Sequence, residues 1–132
     1  AEAVTCRLFD SERYTMGDLL NVKQRQEYAQ PTLPMSADGA ITIKSGIVVV
    51  TKAGVCAMTL AAPAYSDNGK RLVIDSHTAQ AHTLTISGGL RGAGSGADVG
   101  TFGGAIGDGI ELYAYNGNWY PVPGTNTNVS FA

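Results

Sequence analysis

The sequence predicts an all-β fold, an antiparallel β-sandwich or barrel-like domain with a Gly-rich loop, preceded by an N-terminal arm. Three observations carry that expectation. Apolar and polar residues alternate with period two from Asp38 onward, turn-forming residues recur at short intervals, and Gly reaches 17 of 132 residues while charged side chains make up only 15%. Against ordinary proportions of about 7% Gly and about a quarter charged, this profile excludes both a coiled coil and a charged disordered chain. A chain of this length, 13.7 kDa, builds one domain around one core.

Residues 1–37 form the arm. They hold nine of the twenty charged side chains and a single glycine, Gly17. Thr15 and Asp18 make a weak capping pattern ahead of Leu19, Leu20 and Val22, which predicts a short helix from about Met16 to Glu27. Pro31 and Pro34 stop it and stiffen the exit toward the β domain. The apolar residues Leu8, Phe9, Tyr14, Leu19, Leu20 and Tyr28 are too few for a core of their own, so the arm needs a surface on which to dock.

The β domain spans 38–122. Ile41 and Ile43 alternate with Thr42 and Lys44, and Ser45-Gly46 turns the chain. Ile47 to Thr51 is β-branched throughout, Lys52-Ala53-Gly54 turns again, and Val55 to Ala61 follows. After Asp67-Asn68-Gly69, Arg71 to Ser76 puts Leu72 and Ile74 on one face; His82 to Ser87 repeats the pattern with Leu84 and Ile86 inward, Thr83 and Thr85 outward. Residues 88–109 contain ten glycines and predict a long loop with short pieces of strand, suited to turns and to close approach between chains. Ile110 to Tyr115 and Trp119 to Val122 pair across the hairpin turn Asn116-Gly117-Asn118. Residues 123–132 read as a polar tail.

Composition also removes partners. Arg91 is the only Lys or Arg after Arg71 and the formal charge is -2, so no phosphate-tracking nucleic-acid surface is expected. Ile47 to Val50 is the longest apolar run, far below the roughly 20 residues of a membrane span, and Ala1-Glu2-Ala3 lacks the start of a secretion signal. Cys6 and Cys56 lie far apart and are read as buried free thiols in a reducing compartment. A weakly charged exterior of this kind is expected to be covered in part by another copy or another protein.

Chemistry-bearing letters are few. Gly92, Gly94 and Gly96 are not followed by a Gly-Lys-Ser/Thr motif, which argues against a nucleotide site or any bound cofactor. In Asp75-Ser76-His77, strand alternation sends Ser76 to the face opposite its neighbours, so no catalytic relay forms; Ser95, between Ala93 and Ala97, is not a nucleophile elbow. His77 and His82 flank one connection and read as polar turn residues without a third metal ligand. Tyr113, Tyr115, Trp119 and Tyr120 cluster on one hairpin, where exposed rings would stack on sugars and inward ones would pack the core.

The segments GAITIKSG (39–46), VVVTKAG (48–54), AMTLAAP (57–63), NGKRLVI (68–74), TAQAHTLTI (78–86), TFGGAIGD (101–108) and LYAYNGNWY (112–120) resemble small virion proteins of tailed bacteriophages, above all head decoration, or cement, proteins. The likeness covers about residues 38–122, and related β modules also occur in phage tail and fibre proteins. It implies a non-enzymatic homotrimer, assembled in the host cytoplasm, that sits on the outer capsid surface of the virion. There it would tie neighbouring major capsid protein subunits together and stabilise the expanded head. On that reading Leu8, Phe9, Tyr14, Leu19, Leu20 and Tyr28 grip the capsid, and Phe102, Ile106, Tyr113 and Tyr115 are candidates for the trimer interface. The alternative is a tail or fibre receptor-binding domain that recognises a host glycan through Trp119 and Tyr120.

Overall fold

A computed structural model describes residues 30–132, all of them in β-structure, turns and one short 3₁₀ turn, Tyr65–Asp67. The arm residues from Leu8 to Tyr28, the expected helix and Cys6 lie outside the described residues.

Ten strands build two five-stranded sheets packed as a sandwich. They are β1 (Thr32–Met35), β2 (Gly39–Ala40), β3 (Gly46–Val50), β4 (Ala57–Leu60), β5 (Arg71–Ser76), β6 (Thr83–Ile86), β7 (Val99–Phe102), β8 (Gly109–Tyr115), β9 (Asn118–Pro121) and β10 (Val129–Phe131). Sheet A runs β1-β3-β5-β8-β9 and sheet B runs β10-β7-β6-β4-β2. The first six strands alternate between the sheets, so the chain winds through three turns of a flattened coil, each turn laying one strand on each side.

This winding corrects the antiparallel expectation. β1, β3 and β5 are parallel, as are β2, β4 and β6; only β7 to β10 add antiparallel partners. Turn residues after β3 and β5 do not fold the strand back on itself but send it across to the other sheet, and the next parallel partner arrives one turn later. Gly46 pairs with Leu72 and Ala57 with Thr83, the same offset in both sheets, so the third turn stacks on the second in one register.

Period-two alternation sorts side chains as the sequence predicts. Val48, Val50, Leu72, Ile74, Ile110 and Leu112 point inward from sheet A, and Met58, Leu60, Leu84, Ile86, Phe102 and Val129 meet them from sheet B. Trp119 is fully buried, and its indole N–H donates to the Ala61 carbonyl (2.9 Å) just beyond β4, tying the last hairpin of sheet A to sheet B.

Strands also extend past the boundaries read from alternation. β1 lies ahead of Asp38, with Pro34 inside it opposite Val49, so that proline belongs to an edge strand of sheet A. Four residues with two prolines close by carry too little alternation to announce a strand. The tail contributes β10, which pairs with β7; Ser130 faces Thr101 across it. β7 itself lies within the Gly-rich stretch, and its Gly100 lies beneath the ring of Phe131.

Glycines make the chain's close approaches within the described residues. A Cβ at Gly109 would overlap the Ile74 carbonyl oxygen of the neighbouring β5. Gly54, in contrast, has open space around the same position and no positive φ. Gly109→Ala is therefore expected to lower unfolding stability by about 2–4 kcal/mol, and Gly54→Ala to change it by less than about 0.5 kcal/mol. Paired urea denaturation curves check both; equal stability of the two variants would contradict the packing described.

Candidate functional site: the outer face of sheet A

Sheet A turns an unusual face outward. Inward placement of Val48, Leu72, Ile74, Leu112 and Trp119 leaves Ile47, Val49, Val73, Tyr113 and Tyr120 on the outside, all only half-buried. In register, Thr32, Ile47, Val73 and Glu111 form one row, and Arg71, Tyr113 and Tyr120 form the next. Strands of a parallel sheet are normally covered on both faces and read as continuous apolar runs, as Gly46–Val50 does.

The tyrosines form a compact platform at the hairpin end. Tyr113 and Tyr120 stack with ring centroids 5.4 Å apart, and Tyr115 meets Tyr120 edge-on at 6.3 Å. Tyr115 is 52% exposed and Tyr65, on the 3₁₀ turn beside Gly117, is 72% exposed. Asn68, Asn116 and Asn118 border the platform; the Asn68 side-chain oxygen accepts from the Asn116 backbone N–H (2.8 Å) and pins the hairpin tip to the end of the 3₁₀ turn. Arg71 and Glu111 lie 3.7 Å apart on the same face, both partly solvated. Next to Glu111, a shallow hollow of about 200 Å³ is lined by Val73, Asp75, Gly109, Thr125 and Thr127. Its hydroxyl at Thr125 is already committed to Val122 O (2.7 Å).

Sheet B's outer face is different in kind. Ala57, Thr59, Thr83, Thr85, Val99, Thr101 and Ser130 occupy its outward positions, uncharged and mostly small.

Several residues singled out in the sequence lie elsewhere than expected. Phe102 is in the core, where its ring meets His82 edge-on at 5.8 Å, so it is no interface residue. Trp119 is likewise interior and is unavailable for stacking on a sugar, which leaves Tyr120, half-buried, as the one surface member of that pair. Both inversions have the same cause: the pleat of β7 and of β9 turns these two rings to the inner face. Ile106 is exposed (69%) but belongs to the loop before β8, whereas Tyr115 ends that strand, so the two are at opposite ends of it. Tyr113 and Tyr115 share the outer face.

The histidines separate. His77 pairs with Asp75 (3.2 Å) at the surface, and Ser76 points the other way, its hydroxyl donating to Ala105 O (3.0 Å). His82 flanks the connection, directly before β6, but is fully buried. Its Nδ1 accepts the Cys56 backbone N–H (3.0 Å), which puts the ring proton on Nε2, facing Thr78 Oγ1 (2.9 Å); that hydroxyl donates to Lys52 O (2.8 Å). The sequence offered no sign that Cys56 and His82 meet, because nothing in their spacing links two adjacent parallel strands. They do not form a nucleophile and base: both ring nitrogens face other partners, and burial pushes the Cys56 thiol up.

The remaining buried charges hold loops. Asp67 accepts from Lys70 (2.8 Å) and the Ala64 N–H (2.8 Å), and Asp108 from the Ala105 N–H (2.9 Å) and Asn128 (3.2 Å). The Lys70 bond at Asp67 and the Ala105 N–H at Asp108 hold both carboxyls below the usual range. Among the described residues no group of three or more His, Cys, Asp or Glu is placed to hold a metal ion, and no helix is long and apolar enough to cross a membrane. Comparison with protein-family models, curated proteins and solved structures finds no match to this chain.

Burial lowers the His82 pKa, since a charged ring there loses its hydration and cannot accept the Cys56 N–H. Stability from this group is complete above the unfolded imidazole value of 6.5 and falls as the pH drops below it toward the folded value. Chemical unfolding measured across that interval should show stability decreasing with acidification. A His82→Gln variant, though less stable at neutral pH, should lose that slope; an unchanged slope would place the proton elsewhere.

Proposed function

We propose that this protein is a non-enzymatic structural module of a virus particle, a head decoration protein of a tailed bacteriophage that joins neighbouring major capsid protein subunits on the outside of the expanded head. The observation that supports this reading most is the outer face of sheet A, branched aliphatics on the parallel strands β3 and β5 continued by tyrosines on the antiparallel β8 and β9. Such a face gains by being covered, and the buried polar groups, committed to holding loops and strands, leave little for catalysis. The resemblance over residues 38–122 points the same way.

In this reading the β domain associates with two further copies through Ile47, Val49, Val73, Tyr113 and Tyr115, and residues 1–30 supply the grip on the capsid. Tyrosine suits an interface of this kind: it covers a large area with few rotatable bonds, and hot spots are enriched in it. A ligand of the expanded lattice stabilises that lattice by its differential affinity, and three linked arms multiply a weak single contact.

The glycan reading retains one observation in its favour, the exposed Tyr115 and the half-buried Tyr120 edge-on beside it, bordered by asparagines. Here the platform would stack on a host sugar, and Trp119 would have no part in it.

Sedimentation of the full chain should report a trimer at micromolar concentration, and Tyr113→Ala with Tyr115→Ala should weaken self-association by about tenfold or more, ~1.4 kcal/mol. A monomer both free and on particles defeats the assignment. Deleting residues 1–30 leaves the compact unit Pro31–Ala132 and should preserve the trimer while abolishing binding to undecorated expanded capsids. If the truncated chain still saturates such particles, the arm is not the anchor; if instead a glycan array is bound and Tyr120→Ala removes that binding, the receptor reading replaces the capsid one.

A further inference from the structure

The chain contains two Asn-Gly dipeptides, Asn68-Gly69 and Asn116-Gly117, and the fold treats them oppositely. Both residues of the second form the two-residue connection between β8 and β9, with φ of 50° at Asn116 and 80° at Gly117. This is the left-handed pair that a tight hairpin needs. Asn116 is exposed, and among the described residues no hydrogen bond holds its carboxamide or the Gly117 N–H. At the first site both reacting groups are engaged: the Asn68 Oδ1 accepts from Asn116 N (2.8 Å), and the Gly69 N–H donates to Ala114 O (2.8 Å).

We infer that Asn116 is a site of spontaneous covalent modification, deamidation through a succinimide, and that the fold protects Asn68 from the same reaction. The Gly117 nitrogen gives up its proton to solvent base and attacks Cγ of Asn116. A C–N bond forms, the Cγ–Nδ2 bond breaks and ammonia leaves, closing a five-membered ring. Water then adds to one ring carbonyl and opens it, giving aspartate by one route and isoaspartate by the other. Glycine at 117 places no side chain in the path of attack, and neither the Asn116 carboxamide nor the Gly117 N–H has to leave a partner first. At Asn68 the same ring requires breaking the clamp on Asn116 and releasing Gly69 from Ala114.

The product bears directly on the tyrosine platform. Either acid adds a negative charge next to Tyr115, and isoaspartate also lengthens the main chain by one atom between Tyr115 and Asn118, which are paired across the hairpin. The inference is independent of which partner the platform binds.

The test uses the intact wild-type chain, held folded in mildly alkaline buffer made with heavy-oxygen water, so that ring opening writes solvent oxygen into each converted site. Peptide mass spectrometry over time should show Asn116 converting on the order of tenfold faster than Asn68, and the two rates converging when the chain is held in denaturant. Equal or faster conversion at Asn68 in the folded protein overturns the inference. So does an Asn116 that stays unlabelled over a period in which the denatured chain converts fully.

Discussion

The stacking of one turn of chain on the next is the constraint on which the rest of the molecule depends. Val48 lies opposite Ile74 and Val50 opposite Ser76 in sheet A, while Met58 lies opposite Leu84 and Leu60 opposite Ile86 in sheet B. Inward residues therefore stack on inward residues along both walls of one interior. A slip of one residue in any of these parallel pairings would turn a strand's buried set to solvent and its outward set into the core. The two walls are also tied directly, because Trp119 from sheet A donates its indole N–H to a carbonyl beyond the end of β4 in sheet B. Removing the ring would empty the largest site in the core and leave that carbonyl without its donor.

Polar groups admitted to the interior answer to the same constraint. Parallel strands that cross between sheets need long connections, and those connections bring unpaired backbone groups to the sandwich ends. His82 takes the N–H of Cys56 at the start of β4, Asp108 takes that of Ala105, and Asp67 takes that of Ala64. Each side chain substitutes for a ladder that the geometry does not supply. Burial shifts the protonation of His82, and the bonds from Lys70 and from the Ala105 N–H shift that of Asp67 and Asp108, so the perturbed groups mark the joints of the fold.

The two outer faces of the sandwich differ in chemistry. Sheet B offers uncharged, mostly small side chains, and sheet A offers branched aliphatics and stacked tyrosines with one partly solvated ion pair at their border. The latter surface has the larger gain on being covered, since its residues are only half-buried by one another. Association through it would leave the hairpin tip and Tyr65 at the rim, where the Asn68 clamp sets the position of the turn.

The sequence by itself determined the β class, the inward sides of β5 and β6 and most strand positions from Gly46 to Tyr120. Leu72, Ile74, Leu84 and Ile86 are buried, as alternation requires, and Ser76 is turned away from Asp75 and His77. Only the tertiary structure decided which strands are neighbours. Alternation records a face and contains nothing about the partner along the edge, so a turn that reverses a hairpin and a turn that crosses to the opposite sheet look alike. The same gap hid the meeting of Cys56 with His82 and the strands at Thr32–Met35 and Val129–Phe131, whose pairing comes from residues distant in the chain. It also decided between rings on one hairpin: Trp119 and Tyr120 are adjacent in sequence, and the pleat buries the first while leaving the second at the surface.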